Sequence, residues 1–173
     1  LAAGLHIPEG ADLYESIARL NHHLFTEHGF VGDTDAYDAP ENSLLSQVIA
    51  RRHGLPILLS LVYIEVARRV GVDIRGVGFP THFMVTPADA DPVFFVDPFH
   101  QGEILRRTQM RRWFDRITQA NKEPLTPFEH WIHPVNHRIM MVRLNANLKA
   151  SFMRRGDLEG ALRAVERMLI LVP

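Results

Sequence analysis

The amino-acid sequence predicts an α+β fold in which helices pack on a small antiparallel sheet and an α-helical hairpin follows. Apolar residues recur at helical spacing in the N-terminal half, and short β-type segments are grouped in the middle. Two further helical stretches, separated by Gly156-Asp157, end the chain. With 173 residues and a hydrophobic content of 46%, the chain is long enough to bury a substantial core.

Helical spacing predicts three helices in the N-terminal half. The first covers residues 12–28. The second covers 42–53, with Asn42 or Ser43 as its N-cap. The third covers 56–70 and begins with a proline, whose missing N–H suits a first helical turn. Apolar residues cover most of the circumference of this third helix, so we expect it to be buried on several sides.

Three short segments of β type follow the third helix and predict an antiparallel sheet. In the second segment Phe83 and Val85 point to one face and Met84 to the other, so both faces need apolar cover from helices. A further strand at 103–105 would lie at an edge. The three segments are 74–79, 82–86 and 93–97.

Helical structure is also predicted after the sheet. A helix over 108–118 comes first. The sequence from Thr126 to Glu129 then has the pattern of a capping box, which would start another helix. Helices over 135–154 and 158–171 close the chain.

The chain is expected to divide into a first domain, 1–122, and a helical region, 123–173. The last two helices resemble one tetratricopeptide unit, a repeat of about 34 residues. A lone repeat cannot bury its own face, so either further repeats follow Pro173 and the region is incomplete, or the pair packs on the first domain. An ordinary helical hairpin is the alternative. The residues at the repeat offsets are Leu148, Phe152, Gly156, Asp157, Ala161, Leu169 and Pro173.

Composition and charge argue against several classes of function. The net charge is −1, so no global field attracts nucleic acid or an anionic membrane. No apolar run reaches the roughly 18 residues of a membrane span. The absence of cysteine excludes disulfides, thiolate metal sites and cysteine catalysis, and it fits a cytoplasmic protein. We therefore expect a cytoplasmic protein that binds no nucleic acid, membrane or cofactor.

Two groups of potential ligands fall short of a metal site. His130, His133 and His137 have suitable spacings. However, Pro134 interrupts the helix there, so the three rings need not share a face. The Asp-rich loop 33–38 lacks the late glutamate and the further oxygen ligands of a calcium loop. We predict no metal site.

His82 and Asp97 are the candidate catalytic residues. If the hairpin is symmetric about its centre at 89–90, the two lie directly opposite each other, with Cβ atoms about 4.5–5.5 Å apart. The aspartate could then hold an imidazole nitrogen and fix its tautomer, as the orienting acid of a triad does. A histidine and an aspartate at strand ends are more often structural than catalytic.

The residues around this pair resemble the transglutaminase-like superfamily. That resemblance implies a transglutaminase- or papain-like core in which a cysteine starts the buried helix, where the helix dipole lowers the pKa of the thiol. The spacing of the family puts this cysteine at or next to Pro56. The sequence there is Leu55-Pro56-Ile57-Leu58, which contains no nucleophile. The matching features are Gly54-Leu55-Pro56, the apolar helix, Ala67-Arg68-Arg69-Val70-Gly71, His82 and Asp97-Pro98.

Further segments resemble the bacterial SirB family. This family couples a transglutaminase-like region to tetratricopeptide-type helices, its members commonly lack a complete triad, and their biochemical role is poorly defined. Asp33, Thr81 and Leu58 depart from the family, in which Asn, Gly and Ser are usual, and Leu58 removes the hydroxyl nearest the nucleophile position. The segments are 21–25, 29–30, 32, 37, 42–43, 51–52, 54–57, 76–80, 82–83, 96–99 and 143–149.

Four residues are expected to line the cleft beside the pair: Asn42, Pro56, Ser60 and Thr81. Ser60 lies one turn past Pro56 on the same helix face, but a mid-helix serine usually bonds the carbonyl of residue i−4. Thr81 precedes His82, so on an extended strand its side chain points the other way. Neither hydroxyl is favoured as a nucleophile.

The missing thiol and the repeat-like tail favour a non-catalytic module whose cleft binds a peptide and whose tail binds another protein. The alternative is a hydrolase of the peptidase or amidase type, in which His82 and Asp97 act with a water or serine nucleophile. A third hypothesis is architectural, with the two residues forming a buried polar pair that pins the hairpin. The oligomeric state stays open.

Overall fold

The computed structural model describes residues 1–88, 92–121 and 126–172. It confirms the α+β class, with a helix-covered five-stranded antiparallel sheet followed by a helical hairpin. Within these ranges no helix is long and apolar enough to cross a bilayer. The helices are α1 (Leu13–Asn21), α2 (Leu45–Arg51), α3 (Pro56–Arg69), α4 (Arg107–Ala120), α5 (His137–Arg154) and α6 (Leu158–Leu171). The strands are β1 (Val31–Gly32), β2 (His53–Gly54), β3 (Ile74–Val77), β4 (Met84–Pro87), β5 (Phe94–Asp97), β6 (Glu103–Arg106) and β7 (Pro134–Val135).

The five-stranded sheet has the order β6-β5-β4-β3-β7, and every neighbouring pair is antiparallel. β1 and β2 form a separate parallel pair. Phe83 and Val85 belong to the apolar cluster that contains α3, whereas Met84 belongs to the cluster that contains Met110 and Phe114 of α4. The prediction that both faces of the sheet carry apolar cover is therefore confirmed.

α3 is the central helix of the larger cluster. Ten of its 14 residues are buried, as its nearly continuous apolar surface predicts. Tyr63 is fully buried on this helix, and its hydroxyl donates a hydrogen bond to Asn21 Oδ1 at 3.0 Å. Burial raises the pKa of the Tyr63 hydroxyl far above its ordinary value. α3 is thus fixed both by apolar packing and by a polar contact to the end of α1.

The hairpin between β4 and β5 differs in register from the predicted one. Val85 pairs with Val96, so the backbone of Asp97 does not lie opposite His82. β4 begins only at Met84, which leaves His82 in the turn before the strand. The predicted centre of symmetry, 89–90, lies outside the described residues.

The predicted first helix consists of two segments. α1 is capped by Asp12, whose Oδ1 accepts the N–H of Glu15 at 2.8 Å. A π-helical segment, His22–Glu27, continues it, and the N–H of His28 reaches the carbonyl of His23 five residues back. Apolar periodicity predicts the extent of this helical region but not its wider final turns.

The second helix starts later than predicted. Pro40–Ser43 forms a 3₁₀ turn, and Leu44 is the N-cap of α2. The side chain of Asn42 cannot cap the helix because its amide group donates to the Ala36 carbonyl at 2.7 Å and its oxygen accepts from Arg51 at 3.1 Å.

The predicted capping box at Thr126 is wrong. Phe128–Trp131 is a short 3₁₀ helix, and Pro127 precedes it with a ψ of 148°, which keeps the chain extended at that point. Thr126 instead accepts a hydrogen bond at its carbonyl from Nε1 of Trp131, at 3.1 Å. The indole contact therefore fixes this segment without an α-helical first turn.

The C-terminal hairpin is attached to the sheet through backbone and side-chain contacts. β7 precedes α5 and pairs with β3. From α5, Nη2 of Arg143 donates to the carbonyls of Phe79 at 3.1 Å and His82 at 3.0 Å, and the guanidinium lies 5.4 Å from the centre of the Phe83 ring. The expected boundary at 122–123 lies outside the described residues.

We predict that Arg143→Ala lowers the free energy of unfolding by about 1.5–3 kcal/mol, the range for hydrogen bonds to charged groups. The substitution removes the donor from both carbonyls of the turn before β4. Urea unfolding followed by circular dichroism measures the effect. Arg138→Ala, at an exposed position of the same helix, is the matched control and should change stability by less than about 0.5 kcal/mol. Equal losses in the two variants would contradict the role of Arg143.

Candidate functional site

The carboxylate of Asp97 is the centre of the candidate site. Asp97 ends β5 and caps the 3₁₀ turn Pro98–His100, because aspartate before proline is a favoured start of a helical turn. Its Oδ1 accepts the backbone N–H of Phe99 at 3.0 Å and that of His100 at 3.4 Å. Its Oδ2 lies 2.8 Å from Nε2 of His82 and 2.7 Å from Nδ1 of His100. One carboxylate therefore gathers two imidazoles.

These contacts fix the tautomers of both histidines. An ionised carboxylate can only accept hydrogen bonds, so neutral His82 carries its proton on Nε2 and neutral His100 carries its proton on Nδ1. The lone pairs then lie on Nδ1 of His82 and on Nε2 of His100. His82 consequently has the orientation that an aspartate gives to a general base.

The two imidazoles differ in exposure. His82 is only 8% exposed, and the centre of its ring lies 5.0 Å from the ring centre of Trp113 and 5.9 Å from that of Phe99. His100 stacks on His82 at 5.7 Å, and 54% of its side chain is exposed. Solvent therefore meets the cluster mainly at His100, and His82 is nearly buried.

The backbone around His82 is held in a tight turn. The N–H of His82 donates to the carbonyl of Phe79 at 3.2 Å. Thr81 has a left-handed conformation with a φ of 61°. Arg143 closes the turn from α5 by its two carbonyl contacts, and burial lowers the pKa of its guanidinium. The position of the imidazole thus depends on a helix that follows it by more than fifty residues.

The ionisation of Asp97 reflects two opposing effects. Burial alone would raise the pKa of its carboxyl group, because a low dielectric disfavours the charged form. The hydrogen bonds and positive potential of His82 and His100 outweigh burial, so the pKa of Asp97 lies below its ordinary value. Asp97 is therefore ionised at neutral pH.

Sequence reasoning misses His100. One feature of the sequence could have indicated it: His100 lies three residues after Asp97. In a helical turn this spacing directs the ring back to the carboxylate. His82, Asp97 and His100 each offer a ligand atom, and these atoms all lie within 4.8 Å of one another. In the part of the chain that the structure describes, the histidines at 130, 133 and 137 form no such group.

A family model described as the transglutaminase-like superfamily matches residues 2–146. The chain belongs to this superfamily. It is 35% identical to a UPF0162 protein of Xylella fastidiosa (strain 9a5c) over 157 residues, which are 91% of this chain and 56% of the relative. A UPF0162 protein of Vibrio cholerae is 28% identical over 162 residues, 92% of this chain and 57% of the relative. F-box only protein 21 of Homo sapiens is 32% identical over 94 residues, 50% of this chain and 15% of that protein.

The chain spans about half the length of the UPF0162 relatives that it matches. No solved structure matches it. The family match runs past α4 and β7 into α5 and so includes the strand pairing between β7 and β3. The transglutaminase-like core that the sequence motifs predict is therefore confirmed.

In this transglutaminase-like chain the start of α3 carries no nucleophile. Pro56 is the first residue of the helix, and all four residues from Leu55 to Leu58 are buried. Ser60 is also buried, and its Oγ donates to the carbonyl of Phe83 at 3.4 Å rather than to the carbonyl four residues back. The hydroxyl of Ser60 therefore satisfies a backbone carbonyl next to His82.

The other two predicted cleft residues, Asn42 and Thr81, differ in exposure. Thr81 is exposed, and its left-handed conformation shows that the prediction of an extended strand at this position is wrong. Asn42 is fully buried, and both ends of its amide are used by Ala36 and Arg51. Asn42, Pro56 and Ser60 are thus buried, whereas Thr81 is exposed.

We predict that Asp97→Ala lowers the free energy of unfolding by about 2–4 kcal/mol. The substitution leaves two imidazole N–H groups and two backbone N–H groups without their acceptor, and each unsatisfied buried donor costs about 1–3 kcal/mol. Urea unfolding at neutral pH measures the loss. Asp73→Ala is the control, since Asp73 forms an exposed ion pair with Arg75 that contributes at most about 1 kcal/mol. A loss no larger than that of the control would contradict the central role of Asp97.

The depressed pKa of Asp97 also predicts how stability depends on pH. Because the folded-state pKa lies below the unfolded-state value, the carboxylate contributes stability above the ordinary aspartate range, near about pH 4, and loses it as the pH falls through the folded-state value. The stability difference between the wild type and Asp97→Asn should therefore be largest at neutral pH and shrink on acidification. Urea unfolding across an acid series tests this, and a constant difference would contradict it.

Proposed function

We propose that this chain is a non-catalytic transglutaminase-like module that binds a protein or peptide partner. The chain contains no cysteine, and the start of α3 offers neither a thiol nor a hydroxyl. The low exposure of His82 also argues against access of a substrate to Nδ1 of its ring. Both observations favour binding over catalysis.

The observation that carries the proposal is an apolar stripe along α6. The residues recur at intervals of four and three, which places them on one face of the helix. The three leucines and the last valine are between 57% and 72% exposed. Exposed apolar residues grouped on one helix face are typical of an interaction surface. The α6 stripe consists of Leu158, Leu162, Val165, Leu169 and Val172.

The face of α6 next to the stripe packs on α5. Gly160, Ala161 and Ala164 are buried there, and a Cβ at Gly160 would lie 2.9 Å from the ring of Phe152 on α5. Small residues thus let the two helices approach closely, and the large apolar residues remain for another partner. An amphipathic helix with its own apolar face is the partner chemistry that such a stripe fits.

We also propose that the chain belongs to the SirB family and that its last two helices are of the tetratricopeptide type. The turn between α5 and α6 contains Gly156 in a left-handed conformation, with a φ of 74°, and Asp157 caps α6 through the N–H of Gly160. In a tetratricopeptide array the next helix covers the exposed face of the last one. A further helix of the tetratricopeptide type is therefore one occupant that the stripe would accept.

We predict that replacing Leu162 and Leu169 together by serine lowers recovery of the partner at least about tenfold, because each lost apolar contact weakens binding by roughly 1 kcal/mol or more. Affinity capture with the purified chain, quantified by mass spectrometry, compares this variant with the wild type. The matched control replaces Glu166 and Arg167, which are exposed on the same helix outside the stripe, by serine.

A third variant, His82→Ala, tests the cleft. The proposal requires that partners lost from the stripe variant remain bound to the control. If they also remain bound to His82→Ala, the cleft has no part in the binding. Equal recovery by the stripe variant and the wild type would reject the α6 stripe as the binding surface.

A hydrolase that uses water is the second candidate, and the hydrogen bond between Asp97 and His82 favours it. This bond orients the imidazole and leaves Nδ1 as a possible base. A serine nucleophile is less favoured, since Ser60 bonds the Phe83 carbonyl. Turnover of a chromogenic ester or anilide by the wild type, and its loss in His82→Ala, would support this alternative over the binding module.

A further inference from the structure

We propose that His82, Asp97 and His100 form a binding site for a divalent transition metal of the zinc class. Their ligand atoms are two imidazole nitrogens and one carboxylate oxygen, all within 4.8 Å of one another. This donor set suits zinc and its neighbours in the first transition series, whereas magnesium and calcium prefer oxygen ligands alone.

Metal binding would require the three ligand atoms to shift. Oδ2 of Asp97 lies 2.8 Å from Nε2 of His82 and 2.7 Å from Nδ1 of His100. Two ligand atoms at about 2.0–2.2 Å from a tetrahedral zinc ion lie roughly 3.3 Å apart. Each nitrogen would therefore move about half an ångström away from the carboxylate oxygen, and the two nitrogens, which lie within 4.8 Å of each other, would come to a similar separation of roughly 3.3 Å.

The exposed histidine is the ligand that can make this adjustment. His82 is enclosed by Trp113 and Phe99, and its turn is held by Arg143. His100 is more than half exposed at the end of its 3₁₀ turn, so its ring can shift at little cost in packing. The site thus has a fixed inner side and an adjustable outer side.

The remaining carboxylate oxygen is already held by the backbone. Oδ1 of Asp97 accepts the N–H groups of Phe99 and His100 and stays bound to them while Oδ2 faces the ion. Such outer contacts orient the ligands of metal sites and raise their affinity. The Asp97 side chain therefore needs no new support to serve as a ligand.

The proton balance of binding is simple. Each imidazole exchanges its N–H···O hydrogen bond for a metal–nitrogen bond, and its proton moves to the other ring nitrogen, Nδ1 in His82 and Nε2 in His100. No net proton is released from neutral histidines. Two neutral imidazoles and one carboxylate give the ligand set a charge of −1, which attracts a dication.

Three protein ligands leave at least one coordination position for water or for a ligand group, as in catalytic zinc sites. The metal site would therefore supply Lewis acidity that the chain otherwise lacks. It does not depend on the α6 stripe, because it shares no residue with that surface. Failure of the metal site would leave the proposed binding function untouched.

The test is titration of the tag-free, metal-free chain with Zn²⁺ by calorimetry and with Co²⁺ by visible absorption. We expect one equivalent to bind, with the absorption bands of low-coordinate Co²⁺ and a rise in Tm. His100→Ala should weaken binding at least about tenfold, since it removes a ligand from an exposed position where the fold tolerates the change. Asp97→Asn should weaken it as well.

His130→Ala is the matched control, because His130 is an exposed histidine outside the cluster, and it should bind the metal as the wild type does. Unchanged affinity in His100→Ala would overturn the proposal, as would the absence of binding by the wild type at micromolar Zn²⁺. Loss of binding in His130→Ala would place the metal elsewhere and overturn it too.

Discussion

The site and the sheet around it depend on one buried carboxylate that accepts four N–H groups. Two backbone donors and the imidazole of His100 tie Asp97 to the turn after β5, and the imidazole of His82 ties Asp97 to the loop before β4. A charge in this position is tolerated only when its hydrogen bonds are made. The hydrogen bonds of Asp97 therefore hold these segments together and also set the tautomers of His82 and His100.

Much of the fold could be predicted from the sequence because its strongest signals are local. The apolar circumference of α3 and the alternation of Phe83, Met84 and Val85 each predict burial without reference to distant residues, and both predictions are confirmed. The start of α2 could not be predicted in the same way. The side chain of Asn42 forms hydrogen bonds with Ala36 and Arg51, and these replace the capping bond that the sequence suggests.

The site was harder to predict because its parts come from irregular backbone. A symmetric hairpin predicts the pairing of His82 with Asp97, but His82 reaches the carboxylate from a turn instead. Thr81 in this turn has a left-handed backbone, and only a glycine there would have indicated such a conformation from the sequence. His100 joins through a helical turn, and Trp113 covers the imidazole from α4. Family motifs locate such a core, but the burial of His82 depends on long-range packing.

The strand β7 gives the tail a role in the sheet itself. Its two residues pair with Gly76 and Val77, and so they protect the edge of β3 that faces away from β4. The sheet therefore cannot be completed until the chain beyond α4 has folded back onto it. A chain that ended after α4 would present an unpaired β3 edge to other molecules, which is the usual starting point for edge-to-edge aggregation. Solubility of the core during synthesis is thus linked to the docking of its tail.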